Sequence, residues 1–121
     1  MTRINVGIPV KSLSREHLLA EHREIKRIPN CISKGRYNLK GQPKKFKLGP
    51  GHVKFFYDKL GYLLSRYKEI YKECRRRKYD VQDYSSAWNE VPTELMGDYK
   101  PTAEDIEIVQ KRIQDRNKEK L

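Results

Sequence analysis

The segment 46–74 carries a helical repeat of apolar residues around which the rest of the chain must pack. Its apolar and aromatic residues recur at alternating spacings of three and four, which places them on one face of an α-helix. The turn-forming sequence Gly49-Pro50-Gly51 precedes the repeat. The helix is therefore predicted to begin after Gly51 and to run for about six turns. The members of the apolar face are Val53, Phe56, Tyr57, Leu60, Leu63, Leu64, Tyr67, Ile70, Tyr71 and Cys74.

The opposite face of this helix is basic, and it is predicted to lie in solvent or against an anion. Its members are Lys54, Lys59, Arg66, Lys68 and Lys72.

A second helix is predicted over residues 14–28, because Ser12 and Ser14 are both suitable N-caps ahead of a periodic apolar pattern. Pro29 is expected to end or kink this helix, since proline lacks the backbone N–H and crowds the preceding turn. Helical structure beyond the proline would extend to about Lys34.

Three further segments complete the predicted fold. Residues 1–10 are expected to form an extended arm, and residues 79–101, with Pro92, Gly97 and Pro101, an irregular connection. Thr102 is the predicted N-cap of a last helix. The expectation is an all-α protein of about three helices, with residues 1–121 forming one domain.

The charge of the chain is strongly unbalanced. The formal net charge is +11, and residues 25–57 contain nine Lys or Arg and neither Asp nor Glu. An ordinary solvated surface mixes both signs of charge, so this run favours a polyanionic partner bound through phosphate groups. The nine cations are Lys26, Arg27, Lys34, Arg36, Lys40, Lys44, Lys45, Lys47 and Lys54.

Several classes of protein are not favoured by the sequence. Cys31 and Cys74 lie in no CxxC motif, and the three histidines form no ligand-spaced cluster with them. No apolar run approaches the roughly 20 residues needed to cross a bilayer. We therefore expect a cytoplasmic protein with neither metal nor cofactor.

One face of the second predicted helix combines His17, Glu21 and Glu24, with Arg23 and Arg27 on the neighbouring face. This spacing by itself is typical of a surface helix with ion pairs worth a few tenths of a kcal/mol each. A functional role for these residues remains open on the spacing alone.

Four sequence blocks, in order along the chain, resemble the pyrimidine-dimer DNA glycosylases, also known as the phage endonuclease V family. The blocks are MTRIN at the start, EHLLAEHREIKR at 16–27, LGPGHVKFFYDKL at 48–60 and GDYKP at 97–101. The resemblance implies a mainly helical enzyme that excises a damaged pyrimidine and then cleaves the strand at the abasic site by β-elimination. Its partner would be damaged double-stranded DNA, bound by a monomer in a prokaryotic or phage-infected cell.

The resemblance also implies the site residues. Thr2 would be the N-terminal residue after removal of Met1, and its α-amine would attack the sugar to form an imine. Glu24 would be the essential carboxylate. The implied DNA-binding residues are Arg3, His17, Arg23, Arg27, Arg112 and Arg116, and the acid-free run adds Lys44, Lys45 and Lys47.

The chain departs from the family pattern at several points. It ends at Leu121 without the family's aromatic tail, its loop before GPGH is shorter, and it has Glu16 and Tyr67 where glutamines are expected. Tyr67 is expected to face the site. Two alternatives follow, a non-catalytic DNA-binding protein on the same fold and a glycosylase or lyase for another modified base.

Overall fold

The N-terminal arm runs through the middle of the molecule rather than over its surface. In the computed structural model, which describes the backbone of residues 2–119 and the side chains of residues 2–117, Ile4 and Val6 are completely buried. The arm is extended up to a turn at Gly7. Gly7 has φ +71°, and an added Cβ would lie 2.4 Å from the side chain of Ile106, so only glycine fits there.

Within residues 2–119 the chain forms five α-helices and short 3-10 turns, and its β-pairing is limited to an isolated bridge between Lys59 and Met96. The prediction of an all-α fold with an extended arm is confirmed. The α-helices are α1 Arg15–Glu24, α2 Arg27–Ser33, α3 His52–Phe55, α4 Leu60–Arg76 and α5 Ala103–Glu119. The 3-10 turns are Val10–Ser12, Ser85–Trp88 and Thr93–Leu95.

The helix predicted over residues 14–28 is divided in two. Ser14 caps α1 as expected, because its Oγ accepts the N–H of His17 at 3.2 Å. The helix breaks after Glu24 and resumes as α2, with Pro29 inside it, so of the two predicted effects Pro29 interrupts the helix rather than ending it. The predicted continuation to about Lys34 is confirmed, because α2 ends at Ser33. In a continuous helix the ring of Pro29 would crowd the carbonyl of Ile25, four residues earlier, whereas in the first turn of α2 no N–H is needed.

The long central helix is also divided. Instead of six continuous turns, α3 ends at Phe55 and α4 begins at Leu60. The segment containing Met96 and Gly97 packs against the start of α4, where the N–H of Tyr62 donates to the carbonyl of Gly97 at 3.1 Å. Contact with a distant part of the chain thus replaces an intrahelical hydrogen bond at this point.

The apolar face of the central segment is nevertheless the core of the protein. Six of its ten predicted members are buried, and the other four pack against them. The buried six are Phe56, Leu60, Leu63, Tyr67, Ile70 and Cys74.

Arg66 contradicts the prediction for the basic face, because it is only 6% exposed. Its guanidinium binds both carboxylate oxygens of Glu21 on α1, with Nε–Oε2 at 2.5 Å and Nη2–Oε1 at 3.1 Å. Its Nη1 donates to the carbonyl of Ile8 in the arm at 3.0 Å. This buried pair joins α1, α4 and the arm, and a charge-assisted fork of this kind has little freedom to move.

The last helix begins where predicted. Thr102 Oγ1 accepts the N–H of Asp105 at 3.1 Å, and a carboxylate oxygen of Asp105 accepts the N–H of Thr102 at 3.2 Å. Val109 of α5 is fully buried against the core. Because this packing places α5 beside the arm and α1, Arg112 and Arg116 reach the same cavity as residues of α1. Among the described residues, no helix combines the length and hydropathy needed to span a membrane.

Candidate active site

A cavity of about 300 Å³ opens where the arm, α1 and α5 meet. It brings together six of the residues predicted from the sequence, although they are separated by up to about a hundred positions. The cavity is lined by Arg3, Asn5, Glu16, His17, Ala20, Glu21, Arg23, Glu24, Arg112 and Arg116. Four arginines and three glutamates share its wall, so positive and negative groups meet in one cavity.

Glu24 is tied to the arm within one residue of the predicted nucleophile. Its Oε1 accepts the backbone N–H of Arg3 at 3.1 Å, and the side chain is 13% exposed. Its Oε2 lies 3.6 Å from Nη2 of Arg23, whose side chain is mostly in solvent. The carboxylate is therefore held at the start of the arm by a hydrogen bond and paired with a largely exposed arginine.

Thr2 lies in a neighbouring cavity of about 310 Å³ that also contains Arg3, His52 and Arg112. Since Arg3 and Arg112 line both cavities, the start of the arm is continuous with the arginine-lined site. Met1, whose removal the resemblance implies, lies outside the described residues.

The cationic groups of the site affect one another. Burial and then the charge of Arg3 lower the pKa of Arg112, and Arg112 donates a hydrogen bond to Asn5 Oδ1. The guanidinium of Arg112 is thus partly enclosed. Burial, followed by the charges of Arg112 and Arg116, lowers the pKa of His17. His17 is consequently neutral near pH 7 and can donate or accept a hydrogen bond there.

The remaining predicted DNA-binding residues do not line these two cavities. Arg27 is exposed at the start of α2, and Lys44, Lys45 and Lys47 are exposed in the loop before α3. None of the four lines the cavities that contain Thr2 and Glu24.

Asn5 was not identified from the sequence, and it connects the site to the core. It is 3% exposed, and its Nδ2 donates to Glu21 Oε1 at 2.8 Å. Because Glu21 can only accept, the amide oxygen of Asn5 is turned toward Arg112. The sequence signal for Asn5 was its place in the first matching block, but periodicity carries no information about which buried polar atoms face one another.

Tyr67 does not face the site, contrary to the expectation. Its hydroxyl is 3.0 Å from His22 Nε2 and accepts the N–H of Tyr84 at 2.6 Å. Burial raises the pKa of Tyr67 to about 12, although the hydrogen bond from the Tyr84 N–H acts in the opposite direction. The residue is a core tyrosine with a satisfied hydroxyl, and it lines neither of the two cavities.

The helical fold and the arginine-lined cavity at the arm are typical of an enzyme that acts on nucleic acid. A family model described as pyrimidine dimer DNA glycosylase matches residues 1–85. The match covers more than half of the chain, and the chain therefore belongs to the pyrimidine dimer DNA glycosylase family, whose substrate is DNA. Thr2 and Glu24 lie inside the matched region, whereas Arg112 and Arg116 lie beyond it. Among the described residues, no three His, Cys, Asp or Glu side chains come together as a metal site would require.

Proposed function

We propose that this protein excises damaged bases, with pyrimidine dimers as the lesion, and then cleaves the strand at the abasic site. The α-amine of Thr2 is the nucleophile and Glu24 is the catalytic carboxylate. The observation that supports this most strongly is the hydrogen bond from the Arg3 N–H to Glu24 Oε1 at 3.1 Å, because it keeps the carboxylate one residue from the amine.

In the first step the neutral amine attacks C1′ of the damaged nucleotide. The new C1′–N bond forms as the glycosidic bond breaks, and the base leaves with the bonding electrons and takes up the proton that the new ammonium nitrogen gives up. The sugar ring then opens: the nitrogen lone pair forms the C1′=N bond, the C1′–O4′ bond breaks, and O4′ takes up a proton, which leaves an imine cation. An α-amine suits this step because its ordinary pKa of about 7.7–8.0 leaves much of it neutral, unlike a lysine amine.

In the second step the imine acidifies the C2′ hydrogen. Removal of that proton, followed by loss of the 3′ phosphate as leaving group, breaks the strand by β-elimination. Glu24 stabilises the imine cation and transfers protons during ring opening and elimination. Water then hydrolyses the imine, which releases the cleaved product as an aldehyde and frees the Thr2 amine.

The arginines that line the cavity are proposed to bind the phosphates around a flipped nucleotide. They are Arg3, Arg23, Arg112 and Arg116. His17, neutral near pH 7, is proposed as a hydrogen-bonding contact on the same wall. The exposed cations Arg27, Lys44, Lys45 and Lys47 are proposed to hold the flanking duplex. We propose that residues 1–121 act as one repair domain, working as a monomer.

The test is covalent trapping of the imine on an abasic duplex with borohydride. One preparation carries Thr2 as its first residue, and the matched control carries one additional glycine before it. The extra residue moves the amine by about 3.8 Å. We expect a covalent adduct only with the free Thr2 terminus, with duplex affinity within a few-fold in both.

Trapping that survives the added glycine would make a lysine the nucleophile and overturn the assignment of Thr2. If neither preparation forms an adduct or cleaves DNA, the protein is a non-catalytic binder. Activity on abasic DNA without excision of pyrimidine dimers would identify it as a lyase or glycosylase for a different lesion.

A further inference from the structure

The arm is held at three consecutive residues, and His52 holds the middle one. The backbone N–H of Ile4 donates to His52 Nε2 at 3.0 Å, next to the Arg3 N–H that Glu24 accepts. The side chain of Asn5 completes the series through Glu21 and Arg112. Of these contacts, only the one to His52 depends on a group that titrates near neutral pH.

The two hydrogen bonds of His52 require one protonation state. Its Nδ1 lies 2.8 Å from the carbonyl of Lys47, which can only accept, so Nδ1 carries a hydrogen. Its Nε2 accepts from Ile4 and must therefore be bare. Both requirements are met only by the neutral imidazole with its hydrogen on Nδ1. A proton on Nε2 would point at the N–H of Ile4 and break the contact.

The surroundings of His52 favour this neutral form. The side chain is 3% exposed, and the rings of Phe46 and Phe56 pack edge-on against it with centroids 5.5 and 5.4 Å away. Burial lowers the pKa of His52, and the carbonyl of Lys47 acts in the opposite direction. The charges that face the ring are Arg112 of α5 and Arg3 of the arm, which lower the pKa further, and Glu21 of α1, which raises it.

We propose that His52 is a positioning residue for the N-terminal amine: as a neutral acceptor for Ile4 it fixes the arm so that Thr2 stays beside Glu24. The proposal rests on the proposed function, in which the Thr2 amine is the nucleophile. Thr2 and His52 line the same cavity. Thr2 lies two positions before Ile4, the arm residue that His52 binds. When His52 is protonated, the arm loses its middle attachment and the amine is no longer held in place.

The first test follows the arm itself and needs no enzymatic activity. In the ¹⁵N-labelled wild-type protein, we expect a nitrogen–nitrogen coupling through the hydrogen bond between Ile4 N and His52 Nε2. As the pH falls through the pKa of His52, the coupling should vanish and the Ile4 amide should exchange at least tenfold faster relative to its intrinsic rate. The amide of Leu18, which donates to Ser14 in α1, is the internal control and should stay protected. An Ile4 amide whose protection is unchanged across the titration would overturn the proposal.

The second test separates positioning from the general stability of the fold, using the pH profile of imine trapping. Protonation of the amine alone makes the rate fall by about one decade per pH unit below its pKa. If His52 must also be neutral, the wild-type slope should approach about two decades per unit below the pKa of His52. In His52→Gln an amide oxygen takes the place of Nε2 and accepts the Ile4 N–H without titrating. The trapping rate of this variant should therefore fall by only about one decade per pH unit. His52→Ala, with no acceptor, should trap at least tenfold more slowly at every pH.

His22→Gln is the matched control, because His22 is also buried with a lowered pKa but contacts Tyr67 rather than the arm. It should keep the wild-type slope. A His52→Gln profile that superimposes on the wild-type profile would overturn the proposal while leaving the lyase intact. Absence of trapping in every protein would instead refute the proposed function, and the Ile4 amide would still decide whether His52 holds the arm.

Discussion

Glu24→Gln separates the charge of the proposed catalytic carboxylate from its role in holding the arm. The glutamine retains an oxygen that can accept the Arg3 N–H, which Glu24 binds at 3.1 Å. What is lost is the negative charge and its 3.6 Å pair with Arg23, whose side chain is 60% exposed. Because the Arg23 end of the pair lies in solvent and the glutamine keeps the hydrogen bond to the arm, the free energy of unfolding should change by less than about 1 kcal/mol.

The catalytic cost of the same substitution should be much larger. Loss of a carboxylate that stabilises the imine cation and moves protons costs roughly 10²-fold or more in rate, or about 2.7 kcal/mol of transition-state stabilisation. The affinity for DNA should be kept or slightly improved, because one negative charge leaves a cavity lined by arginines. Glu24→Ala also removes the acceptor for Arg3, so it should lose about 1 kcal/mol more of folding stability.

The assay is single-turnover cleavage of abasic and dimer-containing duplexes, with a gel-shift titration and urea unfolding on the same samples. Glu90→Gln is the control, since Glu90 is exposed and does not line the cavity. It should cleave like the wild type. Normal cleavage by Glu24→Gln would refute the catalytic role, and a stability loss of several kcal/mol would refute the weak pairing with Arg23.

Three further outcomes are expected. Affinity for undamaged duplex should fall at least tenfold between about 50 and 200 mM salt, because several phosphates are neutralised in the complex. An affinity that does not change with salt would show that the acid-free run 25–57 is not a DNA-binding surface. Glu21→Gln should lower the free energy of unfolding by about 3–5 kcal/mol, because it leaves Arg66 buried without its counter-charge; urea unfolding showing under 1 kcal/mol would contradict the buried pair. Gly97→Ala should cost about 1–3 kcal/mol, because the new Cβ would lie 2.3 Å from the carbonyl of Asp58, and an unchanged melting temperature would contradict that close approach.

The helices of this chain can be predicted from apolar periodicity and capping residues near each end. Not all of the breaks between helices can be predicted from the neighbouring residues. Ser14 and Thr102 cap helices where their side-chain chemistry predicts. The break after Glu24 has a local cause in Pro29, although the proline acts four residues earlier than its own position suggests. The break between α3 and α4 has no such local cause, because it depends on contact with Gly97.

The apolar periodicity of the sequence likewise could not predict which charged residues are buried. Arg66 lies on the basic side of the central helix in the sequence pattern, yet it is buried by α1 and the arm. A helical wheel gives the direction of a side chain, whereas its environment depends on which segment packs there. Glu21 has the same helical spacing as His17 and Glu24, but it is fully buried, where it pairs with Arg66 and accepts from Asn5.

The sequence by itself determined the class of the protein and predicted, through the family resemblance, a chemistry for its N-terminus. The excess of cations implied a polyanion, and the blocks containing Thr2 and Glu24 carried the family resemblance that the match to residues 1–85 confirms. Only the tertiary structure decided how these residues are held. Arg112 reaches the cavity through the packing of α5, and His52 meets Ile4 across 48 positions of chain. The physical reason is that a buried polar group must find a partner, and the partner's identity is set by the packing of distant segments.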